Sequence, residues 1–149
     1  MQITLAHIGA KFQSGDKLEW VTEEYLRRIS PFAKAEARAF RSEEALEEWL
    51  ERQQGRTPVA TVLLDSRGRQ MSSEAFAAWL GSRRDEGTQH IAFAIGPADG
   101  WSDDARRKSG LLLSLGPMTL AHALARAVLA EQVYRAFTIL AGHPYHTGH

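Results

Sequence analysis

The residues best equipped for chemistry lie late in the chain, in LLLSLGPMTLAHALARAVLAEQVYRAFTILAGHPYHTGH at 111–149. His122 and Arg126 stand four apart, so on a helix they share a face and set a group that titrates near neutrality beside a fixed cation. Such a pair can take up a proton and neutralise a developing anion or hold a phosphate. The ordinary alternatives are a histidine that caps or orients the neighbouring turn and an arginine salt-bridged to a carboxylate. Tyr145 and His146 bring two rings able to stack on an unstacked nucleobase and to exchange a proton with it. His143, His146 and His149 recur at steps of three, a spacing that invites a metal. No carboxylate accompanies them, which makes a weak zinc signature.

Just before His122 the apolar run 111–113 is stopped by Ser114, Gly116 and Pro117. The backbone must turn there and expose peptide groups beside a helix N-terminus whose natural cap is Thr119. A turn of this kind can hold a small ligand. Two more loops follow apolar runs, Leu64-Asp65-Ser66 and Gly96-Pro97-Ala98-Asp99-Gly100, and in an α/β sheet loops at strand ends converge on a crevice. Gly96 lets the backbone come close to a ligand, while Pro97 fixes φ and removes a donor. The first strand is followed only by Gly9-Ala10-Lys11, a single glycine, which disfavours a Rossmann-type nucleotide site.

The elements that must position these residues alternate in apolar-rich and amphipathic segments, the pattern of an α/β domain. Strands are expected at 2–8, 35–40, 59–64, 90–95 and 111–113. Helices are expected at 17–29, 42–53, 72–84, 103–109 and 119–140, the second capped by Ser42 with Glu43 and Glu44 in its first turn. Residues 55–58 read as a turn. In the last helix Leu120, Leu124 and Val128 form one apolar stripe and Ala130, Val133, Phe137 and Leu140 another, more than one sheet contact requires. Small residues at Ala121, Ala123, Ala125, Ala127 and Ala130 permit close helix approach. A homodimer is one way to bury the surplus, and helices of the same chain are the other.

The 149 residues, 44% of them hydrophobic, fit one compact domain. With no cysteine, disulfides, thiolate metal sites and a cysteine nucleophile are excluded, and the chain suits a reducing cytoplasm. MQITLAHIGAKF lacks the features of a signal peptide, and no run is long enough to span a membrane, so a cytoplasmic, soluble protein is expected. Eighteen basic residues balance eighteen acidic ones. Zero net charge counts against a binder of naked RNA, and less against an enzyme acting on an assembled particle, for which a local basic patch suffices. Arg67 with Arg69, Arg83 with Arg84, and Arg106-Arg107-Lys108 are candidates for such a patch or for ordinary solvated surface.

Taken in order, QITLAHIG, EEYLRR at 23–28, LLDSRGRQMSSEAFA at 63–77, FAIGPADGWS at 93–102, MTLAHALAR, AEQVYRAF and HPYH resemble the RlmH family over essentially the whole chain. These are SPOUT-class methyltransferases that methylate N3 of a pseudouridine in 23S ribosomal RNA. The sequence departs from the family's usual second glycine at Pro97, proline at Ala121 and basic residue at Thr147. The resemblance implies a single-domain α/β fold of SPOUT type, a mostly parallel sheet flanked by helices with a C-terminal trefoil knot, and 141–149 as a functional tail. It implies S-adenosylmethionine as cofactor, held by Leu64, Gly96, Leu115, Gly116, Pro117, Met118, Thr119 and Leu120, with no metal. It places the reaction at His122, Arg126, Tyr145 and His146, on the assembled ribosome, in a homodimer whose tail closes the partner's pocket. A proton sits on the target imide nitrogen, so a base is useful. The rival readings are a catalytically silent ribosome-associated or RNA-binding module of the same fold, and a metal-dependent hydrolase built on the histidine tail.

Overall fold

The computed structural model describes residues 1–11, 15–53 and 57–147. Residues 55 and 56 of the expected turn, and His149 of the histidine series, lie outside the described residues. Strands and helices alternate: β1 (Gln2–Ile8), α1 (Lys17–Ile29), β2 (Lys34–Phe40), α2 (Glu43–Arg52), β3 (Ala60–Gln70), α3 (Ser73–Asp85), β4 (His90–Ile95), α4 (Asp103–Lys108), β5 (Leu111–Ser114) and α5 (His122–Leu140), then a 3-10 turn at Pro144–His146. The strands form one sheet in the order β2-β1-β4-β3-β5, and all pairings are parallel. Each parallel connection needs a crossover, and the crossover helices cover both faces.

Side chains alternate across each strand, which divides the core in two. On one face Ile3, Leu5, Val62, Ile91, Phe93 and Leu113 pack against Ile29 of α1, Phe76 and Leu80 of α3, and Leu129, Val133 and Phe137 of α5. On the other, Ala6, Ile8, Leu63, Ala92 and Ala94 pack against Leu46 and Trp49 of α2 and against Trp101. Four helix starts are fixed by side-chain caps: Asp16, Ser42, Ser72 and Ser102 each accept from backbone N–H groups of the first turn. Such a cap contributes about 1 kcal/mol.

Three expectations are corrected. The last helix begins at His122, not 119; its N-cap is Ala121, with no side-chain cap bond, and Thr119 lies outside it. Ala121 is still extended, and upstream of it Ser114 closes a tight turn, its hydroxyl accepting from Gly116 N–H and donating to Gly116 O, both at 3.1 Å. Second, β3 runs six residues past its expected end. An Asx turn from Asp65 to Arg67 N–H (2.8 Å) carries the strand through a bulge, after which Arg69 and Gln70 pair with Leu113 and Ser114. Leu113 is therefore paired with β3 on both sides of the bulge, with Leu64 and with Arg69. Third, the stripe Ala130, Val133 and Phe137 is buried inside this chain, Val133 completely, so it says nothing about a dimer. Its helix neighbours are α1 and α3.

Candidate functional site

The register brings the three expected loops together. Leu64 near the middle of β3 pairs with Ile95 of β4 on one side and with Leu113 of β5 on the other. Gly96 and the turn beginning at Ser114 thus leave the two strands on either side of β3 at the same end of the sheet, flanking Leu64. In the run from Leu115 to Leu120, Gly116 has φ +127° and no atom lies within 4 Å of where its Cβ would be. Only glycine adopts that backbone without strain. Pro117, Met118 and Thr119 are exposed, Met118 to 82%. A cavity of about 310 Å³ opens beside this turn, lined by Leu115, Gly116, Ser72, Ser73, Phe76 and Gln132 among others. Leu64 and Gly96 are not among its lining residues. An open, glycine-dependent turn next to a cavity fits a ligand held by backbone groups.

Gly96 is closely packed on its Cβ side. A Cβ there would come within 2.7 Å of Cε2 of Trp101, so the space is filled by an indole of the same chain. Trp101 is 5% exposed, and its Nε1 donates to the carbonyl of Leu64 at 3.0 Å. It links two of the three loops, a role that sequence reasoning missed; the signal was present as an aromatic directly after the glycine of the Pro97–Gly100 turn. Beside it, Arg106 Nε donates to Asp65 at 2.7 Å. Burial raises the Asp65 pKa, but the bonds from Arg106 and from Arg67 N–H outweigh it and hold the carboxyl below its ordinary value.

His122 and Arg126 share the first turns of α5, as their spacing required. Arg126 is 2% exposed and ion-paired with Glu19 of α1, so the salt bridge weighed against a phosphate contact is the arrangement found. The neighbour that sequence reasoning overlooked is His7 at the end of β1, whose Nε2 hydrogen-bonds Ala10 O at 2.9 Å. Burial lowers the pKa of His7 against that bond; Arg126 and His122 push it the same way and Glu19 opposes them.

Tyr145 and His146 lie elsewhere, on the tail's 3-10 turn packed against α5 of the same protomer. Tyr145 OH donates to Glu131 at 3.1 Å, and its ring lies under the guanidinium of Arg135, 4.9 Å away. Burial, the bond with Tyr25 and the Glu131 charge push the phenol pKa up, so Tyr145 keeps its proton around neutrality. His146 bridges Arg135 (2.9 Å) and Glu74 (2.7 Å). Glu74 is in the first turn of α3, next to Ser72 and Ser73 of the cavity wall. His143 accepts from Tyr145 N–H at 3.2 Å. Among the described residues no group of three histidine or carboxylate side chains is placed to hold a metal.

The two basic clusters on helices are balanced locally. Arg106 pairs with Asp65 and Asp103, Arg107 with Asp104, Lys108 with Glu47 and Asp104, Arg83 with Glu86, and Arg84 with Asp85. These helix surfaces are solvated ion-pair faces rather than a basic patch. Among the described residues no helix is long and apolar enough to cross a membrane.

A family model described as "Predicted SPOUT methyltransferase" matches residues 1–146. Ribosomal RNA large subunit methyltransferase H of Koribacter versatilis (strain Ellin345) is 46% identical over 149 residues, covering all of both chains. The protein of that name in Xanthobacter autotrophicus (strain ATCC BAA-1158 / Py2) is 39% identical over 160 aligned positions, 98% of this chain and 99% of that one. Two solved structures share the fold at low identity. The SpoU methyltransferase AviRb from Streptomyces viridochromogenes, in complex with AdoMet, has a TM-score of 0.51 at 14% identity, covering 96% of this chain and 58% of its own. A probable methylase family protein from Haemophilus influenzae Rd KW20 has a TM-score of 0.55 at 11% identity, covering 99% and 70%.

Proposed function

Because the chain belongs to the SPOUT methyltransferase family, we propose that it transfers a methyl group from S-adenosylmethionine to large-subunit ribosomal RNA, at N3 of a pseudouridine on the assembled ribosome. The observation that carries this is the meeting of three strand-end loops on Leu64, with an open turn at Gly116 beside a cavity. Leu64, Gly96 and the run Leu115, Gly116, Pro117, Met118, Thr119 and Leu120 would hold the cofactor, largely through backbone groups. Bound there, the sulfonium supplies an activated methyl group. The protein need then only align the acceptor and manage its proton.

His122, next to the cofactor turn, is the group on this chain for taking up the imide proton, and Arg126, locked to Glu19, fixes the helix that carries it. Tyr145 and His146 are proposed to close over the nucleotide, Tyr145 as a hydrogen-bond donor since its proton is held. The same reading includes the C-terminal trefoil knot, a cytoplasmic location and a homodimer in which the tail of one protomer serves the pocket of the other. Exposed Trp20, Val21, Met118 and Leu124 are apolar surface available for that contact. The test has two steps. Calorimetry with S-adenosylhomocysteine should show metal-independent binding. Ribosomes from a strain lacking the protein should then gain one methyl group on a pseudouridine, read by mass spectrometry of the rRNA, and unchanged RNA would refute the assignment.

A further inference from the structure

Two of the proposed cofactor loops leave paired strands, Leu64 being opposite Ile95, and just past that pairing a side chain at the end of the second loop links them again. Trp101 follows the turn closed by Gly100 N–H to Pro97 O at 2.9 Å. Its indole lies flat enough on Gly96 that a Cβ would sit 2.7 Å from Cε2, 2.8 Å from Nε1 and 3.0 Å from Cδ2. Its single donor is directed to Leu64 O at 3.0 Å. The indole is itself held from behind: it packs in the cluster of Leu63, Ala94 and Leu46, and its neighbour Ser102 donates to Glu43 of α2 through both N–H and Oγ, at 2.7 Å each. The ring therefore cannot retreat from Gly96 without moving α2, nor from Leu64 without breaking a partly buried hydrogen bond.

We propose that Trp101 is a positioning residue for the cofactor, setting the spacing between the Leu64 and Gly96 backbones, and that Gly96 is glycine because the indole, not the ligand, occupies its Cβ position. This rests on the cofactor reading above. A bulky residue at 96 would push the indole and with it the Leu64 carbonyl, so loss of binding on substituting Gly96 is transmitted through Trp101. The donor contributes through a bond whose loss leaves a carbonyl under-satisfied, an effect of roughly fivefold to tenfold in an equilibrium constant.

The test measures S-adenosylhomocysteine binding by calorimetry and the melting temperature without ligand for Trp101→Phe, Gly96→Ala, Trp101→Leu and the double variant Gly96→Ala/Trp101→Leu. Trp101→Phe, which keeps a ring and loses the donor, should weaken binding about fivefold to tenfold and lower the unliganded melt by no more than a few degrees. In methyl transfer it should raise KM for S-adenosylmethionine and leave KM for ribosomes unchanged, a split that a general loss of stability would not produce. Gly96→Ala should weaken binding in the wild-type background yet add no further loss once Trp101 is Leu. Wild-type affinity in Trp101→Phe, or additive losses in the double variant, overturns the proposal. Should the leucine variants fail to fold, Trp101→Phe decides alone. Absence of binding by the wild-type protein would overturn the cofactor reading, and this inference with it.

Discussion

Arg135 places Nη1 2.9 Å from Nδ1 of His146, and since a guanidinium only donates, that ring nitrogen is the acceptor. The imidazole then carries its proton on Nε2, which points at Glu74 Oε1 2.7 Å away. The bond to His146 comes first among the causes that hold the Glu74 carboxyl below its ordinary value. One arginine thus selects the tautomer of a tail histidine and ties the tail to two helices.

That arrangement predicts unequal effects at the two ends of the bridge. Arg135→Met removes the donor to His146 and the cation over Tyr145, and should release the tail. Limited proteolysis should then cleave around 143–147 at least several times faster. Glu74→Gln keeps an acceptor for Nε2–H, so cleavage there should stay near the wild-type rate.

Gly116→Val should leave a folded protein that no longer binds S-adenosylhomocysteine. At φ +127° a β-branched residue is strained, at a cost of about 1–3 kcal/mol, and its side chain would project into the open turn. A melt lowered by a few degrees with no calorimetric heat is the expected pair of results. Retained binding would mean that this turn does not face the cofactor.

Burial lowers the pKa of both His7 and His90 from the ordinary 6.5, and in each case it is the largest cause. A histidine with a depressed folded pKa stabilises the fold above its unfolded pKa, and that contribution is lost as pH falls toward and through the folded value. Thermal stability should therefore be flat above about pH 7 and decline below about pH 6.5. His90 shares a 2.8 Å hydrogen bond with Thr4 inside the sheet and meets the edge of Trp49. His90→Gln should flatten the slope between pH 6.5 and 5, read from melts, even if it lowers stability at every pH.

Val133→Asp and Phe137→Asp should give insoluble or unfolded protein rather than soluble monomers, because an unpaired carboxylate would enter the core at a cost of several kcal/mol. Trp20→Glu and Leu124→Glu, at exposed sites, should keep the fold. Light scattering should show them shifted toward monomer if that surface makes the dimer contact.

Mixing two inactive variants tests the shared pocket. One carries Tyr145→Ala with His146→Ala, and the other Gly116→Val. After proven subunit exchange, a mixed dimer has one pocket with an intact turn and an intact partner tail, so activity should return. No recovery would confine the tail to its own protomer.

Strand and helix order was legible because periodicity carries it: β1, β4 and α1 have the bounds that alternation and helical spacing predict. What escaped was pairing that side chains do not announce. Asp65 to Gln70 is polar and reads as a loop, yet its second half belongs to the sheet because the backbone, not an apolar face, is what β5 uses. The wide apolar surface of α5 was visible, but its partner was not, since a stripe of Val133 and Phe137 looks the same whether α1 or a second subunit covers it. At the site the loops could be foreseen from the ends of apolar runs. The partners of Trp101 and Glu19 could not, because their roles arise from contacts 37 and 107 residues away in sequence; for Trp101 only its place after the turn was visible.

The double pairing of Leu113 bears on how the sheet breathes. An edge strand of four residues ordinarily frays first, and its amides exchange with solvent before those of the interior. Here β5 is gripped by β3 before and after the bulge, so detaching it requires two separated sets of backbone bonds to open together. Amide hydrogens around Leu113 should exchange on the slow timescale of the central strands, and the Ser114–Gly116 turn would then hang from a fixed anchor.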